Sequence, residues 1–228
     1  MAFGCAHLES GRSPELEVQR RNQLETIIKK SFITDSRVLN RNQYDWQSHD
    51  IKVIFGDLNF RNVPELTLEN AVRLVEQDDI QSLQHYDEYI TFSRLPDHKK
   101  GILKHYKEGT LTFGPTYKYH MKSNTYDLRR FPSYTDRILF ESPHALPQQN
   151  PLMNIFYGKV DYDLSDHKPI TGLFEAKVKV VNQKMKQKLE EEIKERYDVD
   201  HLDSEHHRKN EFLKGYSDEN PYVIMHHE

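Results

Sequence analysis

Residues 51–56, Ile-Lys-Val-Ile-Phe-Gly, form a compact apolar run that fits a strand buried in a sheet and ending at Gly56. The apolar material available to cover such a strand is thin. Only 36% of the chain is hydrophobic and 30% is charged, so a core must draw heavily on the 13 Tyr and 11 Phe rather than on aliphatic runs. At 228 residues the chain is long enough for one sizeable domain and a tail.

The flanking patterns fill in a mixed α/β reading. Residues 14–33 read as a helix, with Pro14 at a first-turn position and Leu16, Leu24, Ile27 and Ile28 on one face. Met1 to Leu8 fits a strand end. Residues 67–77 read as an amphipathic helix capped by Thr67, with Leu68, Val72 and Val75 facing inward. Residues 91–135 lack sustained periodicity and read as loops around short strands. Arg137 to Phe140 restores a strand, and Phe174, Ala176, Val178 and Val180 alternate with polar residues as a half-exposed strand does. The globular part is expected to span 1–181. From Asn182, Met185, Leu189, Ile193 and Tyr197 make a narrow stripe on a highly charged helix, and 182–228 reads as a charged helical or disordered tail.

Charge is uneven along the chain. Residues 1–181 carry 24 basic and 24 acidic side chains, and residues 182–228 carry 8 and 12, so the net charge of −4 resides in the tail. Residues 94–137 hold ten Lys or Arg against four acids, with His98, His105 and His120 among them, a local field suited to an anionic substrate. The histidines at 201, 206, 207, 226 and 227 show no repeated spacing and read as exposed tail residues rather than a metal cluster. No apolar stretch approaches a bilayer-spanning length and no signal pattern opens the chain, so a cytoplasmic protein is expected. The single cysteine, Cys5, excludes an internal disulfide or a multi-cysteine zinc site.

Three segments carry candidate chemistry. In Gly56-Asp57-Leu58-Asn59-Phe60-Arg61, residues 57 and 59 share a face if the strand continues, and a carboxylate beside a carboxamide can handle a water and a phosphoryl oxygen; an Asx turn closing the strand is the plainer alternative. Ser165-Asp166-His167-Lys168-Pro169 offers a histidine whose sequence neighbour is badly placed to orient it, and Asp136 is the better partner. Gly114-Pro115-Thr116-Tyr117-Lys118-Tyr119, followed by Arg129 and Arg130, can gather cations and a phenol around a phosphate that is not hydrolysed.

In this order, the segments resemble the inositol polyphosphate 5-phosphatases, as does Ala6-His7-Leu8-Glu9-Ser10-Gly11 followed by Arg21-Asn22. The resemblance runs from about residue 3 to 176. It implies a four-layer αββα sandwich of two mixed sheets. It also implies that magnesium-dependent hydrolysis removes the 5-phosphate of a phosphoinositide lipid or soluble inositol polyphosphate, with a place at membranes left open. Asp57 would activate water, Asn59 and His7 would bond the scissile phosphate, and His167 held by Asp136 would do the same. Asp166 would lie near the metal, Tyr117, Lys118 and Arg130 would read a neighbouring 4-phosphate, and Arg61 would stiffen the shell. The Pro-Thr-Tyr-Lys segment points away from nucleic acid. The family's Thr-Trp-Asn and Gln-Glu elements do not stand before Met1, so the sandwich is expected to be incomplete at its N-terminus and the metal set to lack that Glu. A remnant that only binds phosphoinositides is the alternative, and a nuclease of the same superfamily is a weaker one.

Overall fold

The computed structural model describes residues 1–32, 45–94, 103, 105–142, 152–178, 180–199 and 222–223. The run at 51–56 becomes β2 (Lys52–Asp57), the second of four strands in a mixed sheet. Parallel to it lies β1 (Ala2–Cys5). On its other side β4 (Asp136–Glu141) pairs antiparallel, and β3 (Lys107–Glu108) pairs with β4. The β2–β4 register sets Asp57 opposite Asp136, which brings two carboxylates 79 positions apart to one end of the sheet.

Alternation along β2 and β4 divides the core. Ile54 and Leu139, both 0% exposed, face helices, whereas Val53 and Phe140 face the second sheet. On the helix side, α1 (Pro14–Lys30) begins with proline at its first turn and ends with Lys29 and Lys30, as the helix dipole favours. It buries Leu24 and Ile28, each contributing roughly 1.5–3 kcal/mol. Trp46 fills the same layer, and its indole N–H donates to the Tyr106 hydroxyl at 2.6 Å.

The second sheet is the antiparallel pair β5 (Leu152–Lys159) and β6 (Ile170–Ala176). Phe140 and Phe174 meet edge to face across the two sheets, with ring centroids 5.1 Å apart. Helices α2 (Leu68–Glu76), α3 (Ile80–Gln84) and α4 (Glu88–Ser93) complete a mixed α/β arrangement of two sheets and helices. Thr67 caps α2 by accepting from the Asn70 N–H. The buried face of α2 is Ala71 and Leu74, while the expected Leu68, Val72 and Val75 are only half-buried, because a nine-residue helix turns its small Ala71 toward its neighbours. The final strand also differs from expectation: β6 stops at Ala176, and Val178 and Val180 are exposed.

Residues Met1–Ala176 form one compact unit and Lys177–Glu228 another. In the second, β7 (Val180–Val181) pairs antiparallel with β8 (Tyr222–Val223), and α5 (Gln183–Val199) realises the charged helix. Its Lys186–Glu190 and Lys188–Glu192 pairs follow the helical i, i+4 spacing. Leu189 and Ile193 are half-buried and Met185 is exposed. The five tail histidines, with His98, Lys99, Lys100 and Lys104 of the basic stretch, lie outside the described residues.

Candidate active site

At the end of β2, Gly56 has φ of +127°, and a Cβ there would stand 2.2 Å from the Ala6 carbonyl oxygen. Only glycine lets the segment after β1 approach so closely. That segment is then laid along the strand end by Leu8 N–H donating to Asp57 O at 3.0 Å. The result is His7 Nε2 at 3.4 Å from Asp57 Oδ2, with the imidazole 75% exposed toward solvent.

Opposite His7 stands His167. Its Nδ1 is 2.9 Å from Asp136 Oδ2 and its Nε2 is 3.9 Å from Asp57 Oδ2. Asp136, chosen from sequence as the orienting carboxylate, therefore holds that position. Two hydroxyls hold Asp136 in turn: Thr116 Oγ1 donates to Oδ2 at 2.6 Å and Thr135 Oγ1 at 2.9 Å. Neither threonine carries a role in the sequence reading, although both sit inside the motifs. Ligand atoms from Asp57, Asp136 and His167 all lie within 4.8 Å of one another, so these three are the described residues that could share a cation.

The electrostatics of the cluster are unbalanced. Burial and the facing charge of Asp136 push the Asp57 carboxyl up, against the opposing pull of His167 and His7. For His167, burial by itself lowers the pKa; the hydrogen bond and charge of Asp136, with Asp57 and Asp166, reverse it and raise the group above its usual 6.5. Two carboxylates facing each other in a half-buried site form an oxygen donor set that a divalent cation would relieve, and this fits magnesium's preference for oxygen ligands.

Asn59 does not continue the strand. Its φ of 53° turns it out of β2, so the shared-face geometry fails, and its backbone N–H closes an Asx turn on Asp57 Oδ1 at 3.1 Å. The carboxamide is buried, with Nδ2 donating to Leu8 O at 3.0 Å and Oδ1 accepting from Arg61 Nη2. Asn59 thus ties the His7 segment to the strand end. The Arg61 guanidinium also lies 4.7 Å from the Tyr117 ring centroid, and Tyr117 packs 4.7 Å from the His167 ring. Lys118 Nζ pairs with Asp166 Oδ2 at 2.9 Å, which gives Asp166 a cationic side chain as its partner while its charge also acts on His167. Arg130 is exposed on the following loop, its backbone N–H bonded to Asp127 O. Sequence reasoning also missed Arg20. Fully buried, it donates to the Glu9 and Gly11 carbonyls at 2.9 Å and to Glu88 at 2.7 Å, bracing the loop that carries His7.

Such an arrangement of paired carboxylates, two histidines and a cationic lip at the end of a mixed sheet defines a member of the endonuclease/exonuclease/phosphatase class. A profile described as Endonuclease/Exonuclease/phosphatase family 2 matches residues 1–173. Within that class the chain belongs to the inositol polyphosphate 5-phosphatase family. It is 28% identical to type I inositol polyphosphate 5-phosphatase 4 of Arabidopsis thaliana over 96% of this chain and 38% of the relative. It is 29% identical to polyphosphatidylinositol phosphatase INP53 of Saccharomyces cerevisiae over 87% of this chain and 16% of the relative. The solved inositol polyphosphate 5-phosphatase domain of SPsynaptojanin, in complex with inositol (1,4)-bisphosphate and calcium ion, superposes with a TM-score of 0.58 at 26% identity. That superposition covers 93% of this chain and 54% of that one. The chain thus spans well under half the length of these curated relatives.

Proposed function

We infer that this chain hydrolyses the 5-phosphate of an inositol polyphosphate or phosphoinositide by direct attack of water. The observation that carries the reading is the convergence of Asp57, Asp136 and His167 beside the Tyr117–Lys118 lip. Asp57, pushed up by burial and Asp136, is the base that holds and deprotonates the water. His167, held in one orientation by Asp136, donates from Nε2 to a phosphoryl oxygen, and His7 donates from the exposed side. Asn59 fixes the backbone that presents His7. Tyr117, Lys118 and Arg130 supply the surface for a second ring phosphate, with Arg61 stacked behind Tyr117.

Asp57 and Asp136 would hold a magnesium ion, which when bound supplies charge neutralisation at the phosphate. Inositol (1,4)-bisphosphate, held by the SPsynaptojanin domain, is what removal of the 5-phosphate from a 1,4,5-trisphosphate leaves, and this supports the substrate class. No helix among the described residues is long and apolar enough to cross a membrane.

A second reading, a chain that binds inositol phosphates without turning them over, draws on one observation: among the described residues only Asp57, Asp136 and His167 bring ligand atoms all within 4.8 Å of one another. Phosphate release from a 4,5-bisphosphorylated inositol substrate with magnesium, compared with Asp57→Ala, separates the two. Release that disappears in the variant supports hydrolysis. Binding without release from a folded wild-type chain supports the second reading.

A further inference from the structure

Lys168 is fully buried, and nothing in the site described above uses it. Its Nζ donates to Ser123 O at 3.1 Å, Asn124 Oδ1 at 2.5 Å and Tyr162 O at 2.8 Å, and lies 4.8 Å from the Tyr119 ring centroid. An ammonium has three donors, and all three are satisfied by neutral oxygens. Burying such a charge without a carboxylate is costly. A methyl-terminated side chain would fill the same space without that cost, so the charge has a purpose that packing does not explain.

Its acceptors show what that purpose is. Two of them, Ser123 and Asn124, form the tip of the loop that leaves Lys118 and returns to Asp127; the third, Tyr162, belongs to the segment that leads into His167. The loop closes on itself through His120 N–H to Thr125 O and Asp127 N–H to Lys118 O, both 2.9 Å, and through the tilted Tyr119–Tyr126 ring pair, with centroids 4.2 Å apart. The two segments are stitched by backbone bonds from Lys168 N–H to Thr116 O and from Tyr119 N–H to Asp166 O, also 2.9 Å each. These fix the near edge of the loop, and one further backbone bond, Lys122 N–H to Asp163 O at 2.5 Å, ties its far half to the same segment. Among the described side chains, Lys168 alone reaches from the His167 motif to the far tip.

We propose that Lys168 is a positioning residue: its buried ammonium locks the 118–127 loop onto the 162–168 segment, and so sets where Tyr117 and Lys118 stand relative to His167. The proposal rests on the phosphatase reading above. It makes recognition of the second ring phosphate depend on a residue that never touches substrate. Losing the clamp loosens the recognition loop and leaves the Asp57–Asp136–His167 cluster in place, because Thr116 and Thr135 hold that cluster independently.

The test compares the full chain with Lys168→Met, Lys168→Arg and Asn124→Ala, each checked for cooperative melting. Asn124 is exposed, and its replacement removes one acceptor without disturbing the core, so it stands in if Lys168→Met does not fold. Binding of inositol 1,4-bisphosphate is measured by calorimetry, hydrolysis is measured with substrates carrying or lacking the 4-phosphate, and amide exchange is followed at Tyr119, Asp127 and the β2 strand. Expected for Lys168→Met is a 10- to 100-fold weaker Kd and higher KM for the 4-phosphorylated ligands, with kcat changed less than threefold. Exchange should be at least tenfold faster at Tyr119 and Asp127 and unchanged in β2. Lys168→Arg, which keeps the charge, should recover part of the loss, and Asn124→Ala should show a smaller effect of the same kind. A wild-type chain that binds the bisphosphate, with variants equal to it in Kd and loop exchange, overturns this inference alone. A wild-type chain that neither binds nor hydrolyses overturns the phosphatase reading and this inference with it.

Discussion

Two groups of charges lie on the same sheet and are built on opposite principles. Behind the site, Arg137 is fully buried and donates to Asp87 and to Glu108 Oε2, the latter at 2.6 Å, while the Tyr157 hydroxyl donates to Glu108 Oε1 at 2.9 Å. Burial pushes both acids up against the opposing charge of Arg137, and the two carboxylates raise the guanidinium against the effect of its own burial. At the strand end, Asp57 faces Asp136 with only exposed or half-exposed histidines between them. One group ties both of its acids directly to a buried cation and serves the fold, whereas the other leaves two facing carboxylates open where a substrate or cation can enter.

The sharpest way to break this contrast is Arg137→Met. It should destabilise the chain by about 3–5 kcal/mol by stranding two buried carboxylates. A denaturant titration reads the effect, and a loss below 1 kcal/mol would mean that the network is not the structural anchor it looks like. Asp57→Asn should do the reverse, lowering turnover roughly 10²- to 10⁴-fold while leaving stability equal or higher. The sign follows from linkage. A carboxyl raised in the folded state costs stability as pH rises from its unfolded value of 3.8 through the folded one, so its removal is neutral or favourable at pH 7. A lower melting temperature for Asp57→Asn at that pH would contradict the contrast.

Thr116→Val tests the layer between the two groups. Removing one of the hydroxyls that hold Asp136 should reduce kcat roughly 10- to 100-fold with little change in KM. Unchanged kcat would show that Thr135 suffices. The smallest effect is the His167 titration, followed by NMR in metal-free protein: its pKa should lie above 6.5 and fall in Asp136→Asn. The stability this pair contributes is fully present below the unfolded pKa and is lost as pH rises through the folded one. A His167 pKa that ignores the substitution would remove Asp136 as its partner.

Much of the frame was legible in the residues. β2 followed from one apolar run, α1 from Pro14 and its spaced aliphatics, and the Asp136–His167 pairing from the rule that a sequence neighbour seldom orients a histidine. The short helices α3 and α4 were not legible: five or six residues give too little period to detect, and the side-chain caps of Asp79 and Asp87 that start them read equally well as turn residues. The expected face of α2 missed because burial there follows neighbours rather than the hydrophobicity of the helix alone.

By itself the sequence determined the class of chemistry, because carboxylates, histidines and cations in a particular order are properties of the chain. What it left open was how each side chain is used. Asn59 stood in the expected motif, yet its left-handed backbone turned its carboxamide inward to Leu8 and Arg61. Asp166 found Lys118, Arg20 found the His7 loop, and Lys168 found three oxygens that no local pattern links to it. Only the tertiary structure decided these matters. Partners for a buried polar group come from whichever segments the fold brings within 3 Å, and sequence separation carries no information about that distance.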